Sequence, residues 1–305
     1  MVLCAPCPRA VQGNAADVSA KEGSQETAVT LVGMVLGLLA VRVTDQRPLL
    51  AWGVFLSLTA AHVYCNMRAV RALVLRTPNT PRLRIVAAAL AAGRPLPSPA
   101  AANAAEPLLP PPVARLLRPW APPPPYAITL GVRVGHVASD LAALWADEQY
   151  ASAMAGRGYL VVPARDGASC RVVLRADNVD SATAALSAWI HAAAAMHVFA
   201  VLRDPSAGGE PRAGRGRGVR FPTLQEVAAV PRRAGGDVRV AAVAVASAWM
   251  DRHAGALWRR MAAQGWRVDA RAALEDAGYR ATWGGGAPGS RGASPRRTAS
   301  PKKGR

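Results

Sequence analysis

The chain has 305 residues, 51% of them hydrophobic, enough to bury a sizeable core in one large domain or two modest ones. Four cysteines do not make a disulfide framework. The formal net charge of +18 leaves nucleic acid, anionic lipid or a merely solvated basic surface as its meaning, and excludes none of them alone. Lysine is scarce and alanine abundant, so a GC-rich coding background accounts for part of the charge. Seven arginines and no acidic residue lie between positions 46 and 105, and six Lys or Arg with no acid follow Gly284.

Cys4 and Cys7 have a Cys-x-x-Cys spacing, but no histidine lies close in sequence, so no metal site is expected there. The start lacks the basic end and continuous apolar stretch of a secretory signal. Asn14 to Thr27 then packs Asp17, Lys21, Glu22, Ser24, Gln25 and Glu26 directly ahead of an apolar segment. Such a run caps a helix, lines a polar cavity, or holds the mouth of a membrane-embedded bundle; composition does not choose. On a helix, Glu22 and Glu26 stand one turn apart and repel modestly unless a cation intervenes.

Residues 27–41 and 48–61 are uncharged and read as two helices separated by the charged turn Arg42 to Arg47. Each apolar run is shorter than the ~20 residues that span a bilayer. Polar flanks extend them at a cost. Gly33 and Gly37 form a small-x-x-x-small pair suited to close helix packing, in a membrane or in a buried hairpin. His62, Tyr64, Asn66 and Arg68 follow at alternate positions. A strand would put all four on one face, whereas the helix favoured by the surrounding apolar run pairs only His62 with Asn66. Histidine can transfer protons near neutral pH, yet no nucleophile or second carboxylate completes a catalytic set, so the chain is read as no enzyme. Arg68, Arg71 and Arg76 mark the end of the second helix as facing an anionic or positive-inside surface, or water.

Gly93 to Tyr126 is rich in proline and reads as a stiff linker, with a short helix at Leu108 to Leu117. A small α+β domain is expected after it. Its strands are Ile128 to Val134, Tyr159 to Val162 and Ser169 to Leu174, the last two turning at Asp166-Gly167. Its helices are Ala138 to Met154, one capped by Asp180 or Ser181 and running to about Val198, and Val238 to Ala263. Residues 204–238 read as a basic loop; Arg215-Gly-Arg217-Gly within it lacks the aromatic interleaving of an RNA site, so nucleic acid is not expected. Tyr279 to Trp283 returns as a short strand, and the tail beyond reads as disordered.

The expected architecture is therefore two-part, α then α+β. A helical, membrane-associated front occupies 1–92 and a linker 93–125. The α+β domain occupies 126–283 and a basic tail 284–305.

The polar string at Asn14 to Thr27 resembles the signature of the root UVB-sensitive family. His62-Val-Tyr64-Cys-Asn66 resembles that family's His-x-Tyr-x-Asn segment. Thr77-Pro78-Asn79, Arg82, Ser98-Pro99, Asn103 and Glu106 fall where the family continues. Gly158 to Val162, Arg171 to Arg175, Gly265-Trp266 and Tyr279-Arg280 are similar to its C-terminal region. Pro78 departs from the usual leucine, and Ala100-Ala101 from a commonly acidic pair. The chain begins well inside the family's usual first domain, which implies a partial or N-terminally truncated member. The resemblance implies a noncatalytic, membrane-associated protein, plastid-located in the plant branch. It implies roles in UV-B response, early seedling development, auxin transport or vitamin B6 homeostasis, with another family member as partner. The rival expectation is a binder or transporter of an unidentified small molecule or ion, using Lys21, Glu22, Gln25, Glu26, His62 and Asn66 around the apolar helices. A soluble enzyme relying on His62 is third.

Overall fold

The computed structural model describes residues 15–106, 126–176, 182–204, 219–229, 236–268, 274 and 276–283. The side chains of 15–20, 22 and 182 are not described. Cys4 and Cys7, the helix expected at 108–117, the cap at 180–181, the Arg215-Gly-Arg217 segment and the tail lie outside these residues. The chain is mostly helical and folds as two compact units, each drawing on separate stretches of sequence.

Unit 1 takes in residues 1–124, 209–221 and 253–273. Helix α1, Ala15–Thr44, and helix α2, Pro48–Ala72, are joined by a tight turn at 45–47 and touch each other. Gln46 makes that turn with φ of 59°, in the left-handed region. Both helices overrun the apolar segments because Ala, Lys, Glu, Gln and Met on the flanks favour helix as well. Pro at the first turn of α2 pre-sets φ where the N–H has no partner.

Helix α3, Thr80–Ala91, is capped by Asn79, whose side chain accepts from the Arg82 amide at 2.9 Å. Helix α4, Pro99–Ala105, is capped by Ser98 and lies where a proline-rich linker is expected. The cause is local: Pro99 sits at a first helical position, where proline is tolerated, and alanines follow. Leu83, Val86, Leu90, Phe221, Leu257, Met261 and Trp266 are buried in this unit. The Phe221 amide bonds the Leu90 carbonyl, and Trp266 donates its indole N–H to the Pro97 carbonyl at 3.0 Å.

Unit 2 takes in residues 125–208, 222–252 and 274–305. A three-stranded mixed sheet, β1 Ala127–Leu130, β2 Tyr159–Pro163 and β3 Ser169–Leu174, has the order β1-β3-β2. The β2–β3 pair is antiparallel and β1 joins β3 in parallel. The first strand stops four residues short of the expected Val134, because Gly131 bends the chain at φ +62°. The expected helix 138–154 is two helices, α5 Ala138–Trp145 and α6 Glu148–Met154; Asp147 caps the second and breaks the run.

Helix α7, Ala182–Arg203, lies on the sheet, and its Ala188 and Ala192 to Ala195 are fully buried. Helix α8, Leu224–Ala228, opens with a Thr223–Glu226 capping box, so the stretch read as a basic loop contains an ordered turn of helix. Helix α9, Val238–Ala263, gives this unit its residues to Arg252. Val198, Phe199, Val227, Ala242 and Val245 form one apolar cluster. The segment expected as a strand at 279–283 is instead a strap: Asp276 bridges Leu130, and Ala281 bridges Arg175.

Candidate functional site

The polar residues singled out at the front of the chain lie on α1 and α2. In helical form His62 and Asn66 share a face, and their side chains bond at 2.9 Å, while Tyr64 and Arg68 are exposed elsewhere on the helix. Lys21, Ser24, Gln25 and Glu26 are exposed on α1. Asp17 and Glu22 belong to α1, but their side chains are outside the description. Equal numbers of residues separate Glu26 from Asp45 and Arg47 from Asn66, so the two sets belong to the open end of one hairpin.

Between the polar end and the turn, both helices show apolar side chains outward. Leu36 is 60% exposed, Trp52 63% and Phe55 57%. The apolar windows Gly23–Thr44 and Pro48–Ala72 have mean hydropathies of 1.9 and 1.4, and none of either is buried. Helix α7 makes the contrast: its hydropathy is 1.6, yet 72% of its window is buried against its own unit. Composition alone does not separate the three helices; burial does.

Several hydroxyls of α1 bond back into their own helix. Thr27 donates to the Gly23 carbonyl, Thr30 to Glu26 and Thr44 to Ala40, each at 2.8–3.0 Å. Ser24 does the same to Lys21. Partial cover on the two helices falls mainly near the turn, at Ala40, Thr44, Ala51 and Val54. Gly33 and Gly37 are not part of it: a Cβ at either would meet no atom within 4 Å. The expected close packing over that pair is therefore absent among the described residues.

The exit from α2 is held by a buried polar network. Arg82 donates to Glu106 at 2.7 Å and to the Thr77 carbonyl at 2.9 Å. Asn79 donates to the other Glu106 oxygen at 2.6 Å. Asn103 donates to the carbonyls of Leu75 and Pro99. These are the residues, scattered over 77–106, that carried the resemblance beyond the His-x-Tyr-x-Asn segment. Their spacing in sequence did not show that they meet.

Among the described residues, unit 2 brings polar side chains together from separate segments. His191 is fully buried on α7, with Nδ1 3.3 Å from the Tyr159 hydroxyl and Nε2 3.2 Å from the Ser247 hydroxyl. Burial, aided by the nearby Arg157 charge, lowers its pKa to about 3 against the backbone bond at Val243, so it is neutral. Burial likewise pushes the Tyr150 and Cys170 groups well up.

Arg157 clamps Asp251 at 2.8 Å beside a cleft of about 610 Å³ lined by Gln149, Ser152 and Ser247. Arg239, 2% exposed, joins Asp140 and Asp237. Asp237 is lowered: burial opposes its ionisation, but the Arg239 hydrogen bonds outweigh it. Sequence reasoning missed these clusters because each joins residues from distant segments. Among the described residues no three His, Cys, Asp or Glu side chains are grouped to hold a metal.

An exposed helical hairpin with a polar open end, and a small α+β unit with its own buried core, define a two-part helical and α+β protein. Residues 8–93 match the family model described as the vitamin B6 photo-protection and homoeostasis domain. The chain is similar to protein root UVB sensitive 3 of Arabidopsis thaliana, 56% identical over 77 residues, which are 25% of this chain and 18% of that protein. It is also similar to RUS family member 1 of Dictyostelium discoideum, 47% identical over 79 residues, 25% of this chain and 15% of that protein. The matched stretch is thus under a fifth of either relative's length. No solved structure matches. It is over residues 8–93 that the chain is similar to root UVB-sensitive proteins. That family is described by a homeostasis role rather than by a reaction.

Proposed function

We propose that the chain is a noncatalytic, membrane-anchored protein of root UVB-sensitive type, held by the α1–α2 hairpin, with its α+β unit available for partner interactions. One observation carries the anchor: two helices of spanning length are strongly apolar and unburied, while a comparably apolar helix of the same chain is packed away. Helices of 22 and 25 residues reach about 33 and 38 Å, against about 30 Å of bilayer hydrocarbon. Hydroxyls bonded back into their own helix suit a solvent that offers no hydrogen bonds. Within this reading fall a role in vitamin B6 homeostasis, and more narrowly in UV-B response, early seedling development or auxin transport. A related family protein is the proposed partner and a plastid membrane the proposed location.

A cysteine placed at Phe55 tests the anchor. In membranes it resists a water-soluble maleimide until detergent is added, whereas labelling at the aqueous rate in intact membranes contradicts the anchor.

The second reading is a small-molecule or ion binder at the open end of the hairpin. It is favoured by the His62–Asn66 bond at the depth, counted from the turn, of Glu26. Its test is Glu26→Gln, which abolishes binding of a ligand captured by the purified protein without reducing helicity; unchanged binding removes Glu26 from the site.

A further inference from the structure

We infer that the corner after the hairpin, residues 68–76, lies in the headgroup layer of a membrane and selects anionic phospholipid. This rests on the anchor reading above and adds the partner that the hairpin's open end meets. Arg68, Arg71 and Arg76 are exposed, and between them Val70, Val74 and Leu75 are 52%, 51% and 39% exposed. Apolar side chains alternating with arginines fit the headgroup boundary, where the apolar groups enter the acyl region and the guanidinium groups reach phosphates.

Charge supports the choice of an anionic surface. After Asp45 the next acid in sequence is Glu106, and the structure commits both of its oxygens to Arg82 and Asn79. Arg82, with a side chain 6% exposed, is thereby withdrawn from the surface, whereas Arg68, Arg71 and Arg76 are presented on it. The acids of α1 belong to the other helix, so the preference is assigned to the arginines clustered over 68–76, where no acid intervenes. The open end carries Lys21, Arg68, Arg71 and Arg76, against Arg42 and Arg47 at the turn.

The network also gives the corner a fixed shape. Asn103 and Arg82 hold the carbonyls of Leu75 and Thr77, and the Arg76 carbonyl accepts from the Arg267 amide at 2.9 Å. The arginines are thus presented from a braced segment, not a free one.

The test uses the full chain reconstituted in phosphatidylcholine vesicles carrying spin-labelled phosphatidylglycerol or spin-labelled phosphatidylcholine. The expected result is motionally restricted lipid of both kinds, with phosphatidylglycerol held about fivefold more strongly, the factor that one arginine is worth at a charged surface. The triple variant Arg68→Gln, Arg71→Gln, Arg76→Gln brings the two lipids to equal association and leaves the amount of restricted lipid unchanged. The control, Arg42→Gln with Arg47→Gln, keeps the preference. Equal association in the unaltered chain, or a preference lost with the turn arginines instead, overturns the inference while the anchor stands. Absence of restricted lipid of either kind overturns the anchor itself.

Discussion

Replacing Glu106 by alanine removes the only carboxylate that, among the described residues, pairs with the buried Arg82 guanidinium. The Arg82 and Glu106 side chains are 6% and 16% exposed and 2.7 Å apart. Removing one partner of a buried pair costs about 3–5 kcal/mol, most of it the penalty of the charge left behind. Arg82 keeps the Thr77 carbonyl at 2.9 Å, which places the loss near the low end, about 3 kcal/mol. Asn79, the cap of α3, loses its own bond to Glu106 at the same time. Amide exchange on the full chain in micelles reads the effect through the Leu83 amide, bonded to the Asn79 carbonyl, and the Ala92 amide at the other end of α3. Both are expected to exchange about a hundredfold faster, since each factor of ten is about 1.4 kcal/mol. Replacing both partners, Arg82→Met with Glu106→Leu, is expected to restore most of the protection, because the stranded charge is gone. Unchanged exchange in Glu106→Ala would refute the claim that this network holds the exit from α2.

Acid weakens unit 2 through His191. Its folded pKa of about 3 lies below the ordinary 6.5, so the stabilisation is complete above pH 6.5 and is lost as pH falls from there towards 3. The loss between pH 7 and pH 5 is about 2 kcal/mol, measured as a drop in denaturant midpoint, and His191→Gln flattens that slope. Gly131→Ala places a Cβ 2.0 Å from Asp276 Oδ1 at a left-handed φ of +62°. It is expected to release the strap over 276–281, costing about 1–3 kcal/mol from the backbone alone. Trypsin cleavage at Arg280 should then become rapid; cleavage at the unaltered rate contradicts the strap.

The hairpin was legible because two uninterrupted apolar runs flank a charged turn, and no tertiary contact competes with that signal. Its ends were not, because alanine, lysine and glutamate continue a helix as readily as leucine does. The β2–β3 pair was legible from two short apolar runs on either side of the Asp166-Gly167 turn, where Gly167 takes φ +74°. The break inside 138–154 was missed because Asp147 reads as helix surface until its side chain is seen capping Gln149. In the candidate site, the His62–Asn66 pairing followed from helical spacing. The Arg82–Glu106 network did not: its two members are 24 positions apart, and only packing brings them together. The idea that Gly33 and Gly37 pack closely failed for a related reason, since small residues permit an approach without compelling one.

The central claim is that the α1–α2 hairpin holds this protein in a membrane. Carbonate extraction of native membranes, followed by detection of the full-length endogenous protein, tests it most directly. Retention in the pellet is the predicted result, as for a chain anchored in the hydrocarbon. Release into the supernatant contradicts the anchor and makes the two unburied helices a surface that a soluble partner must cover.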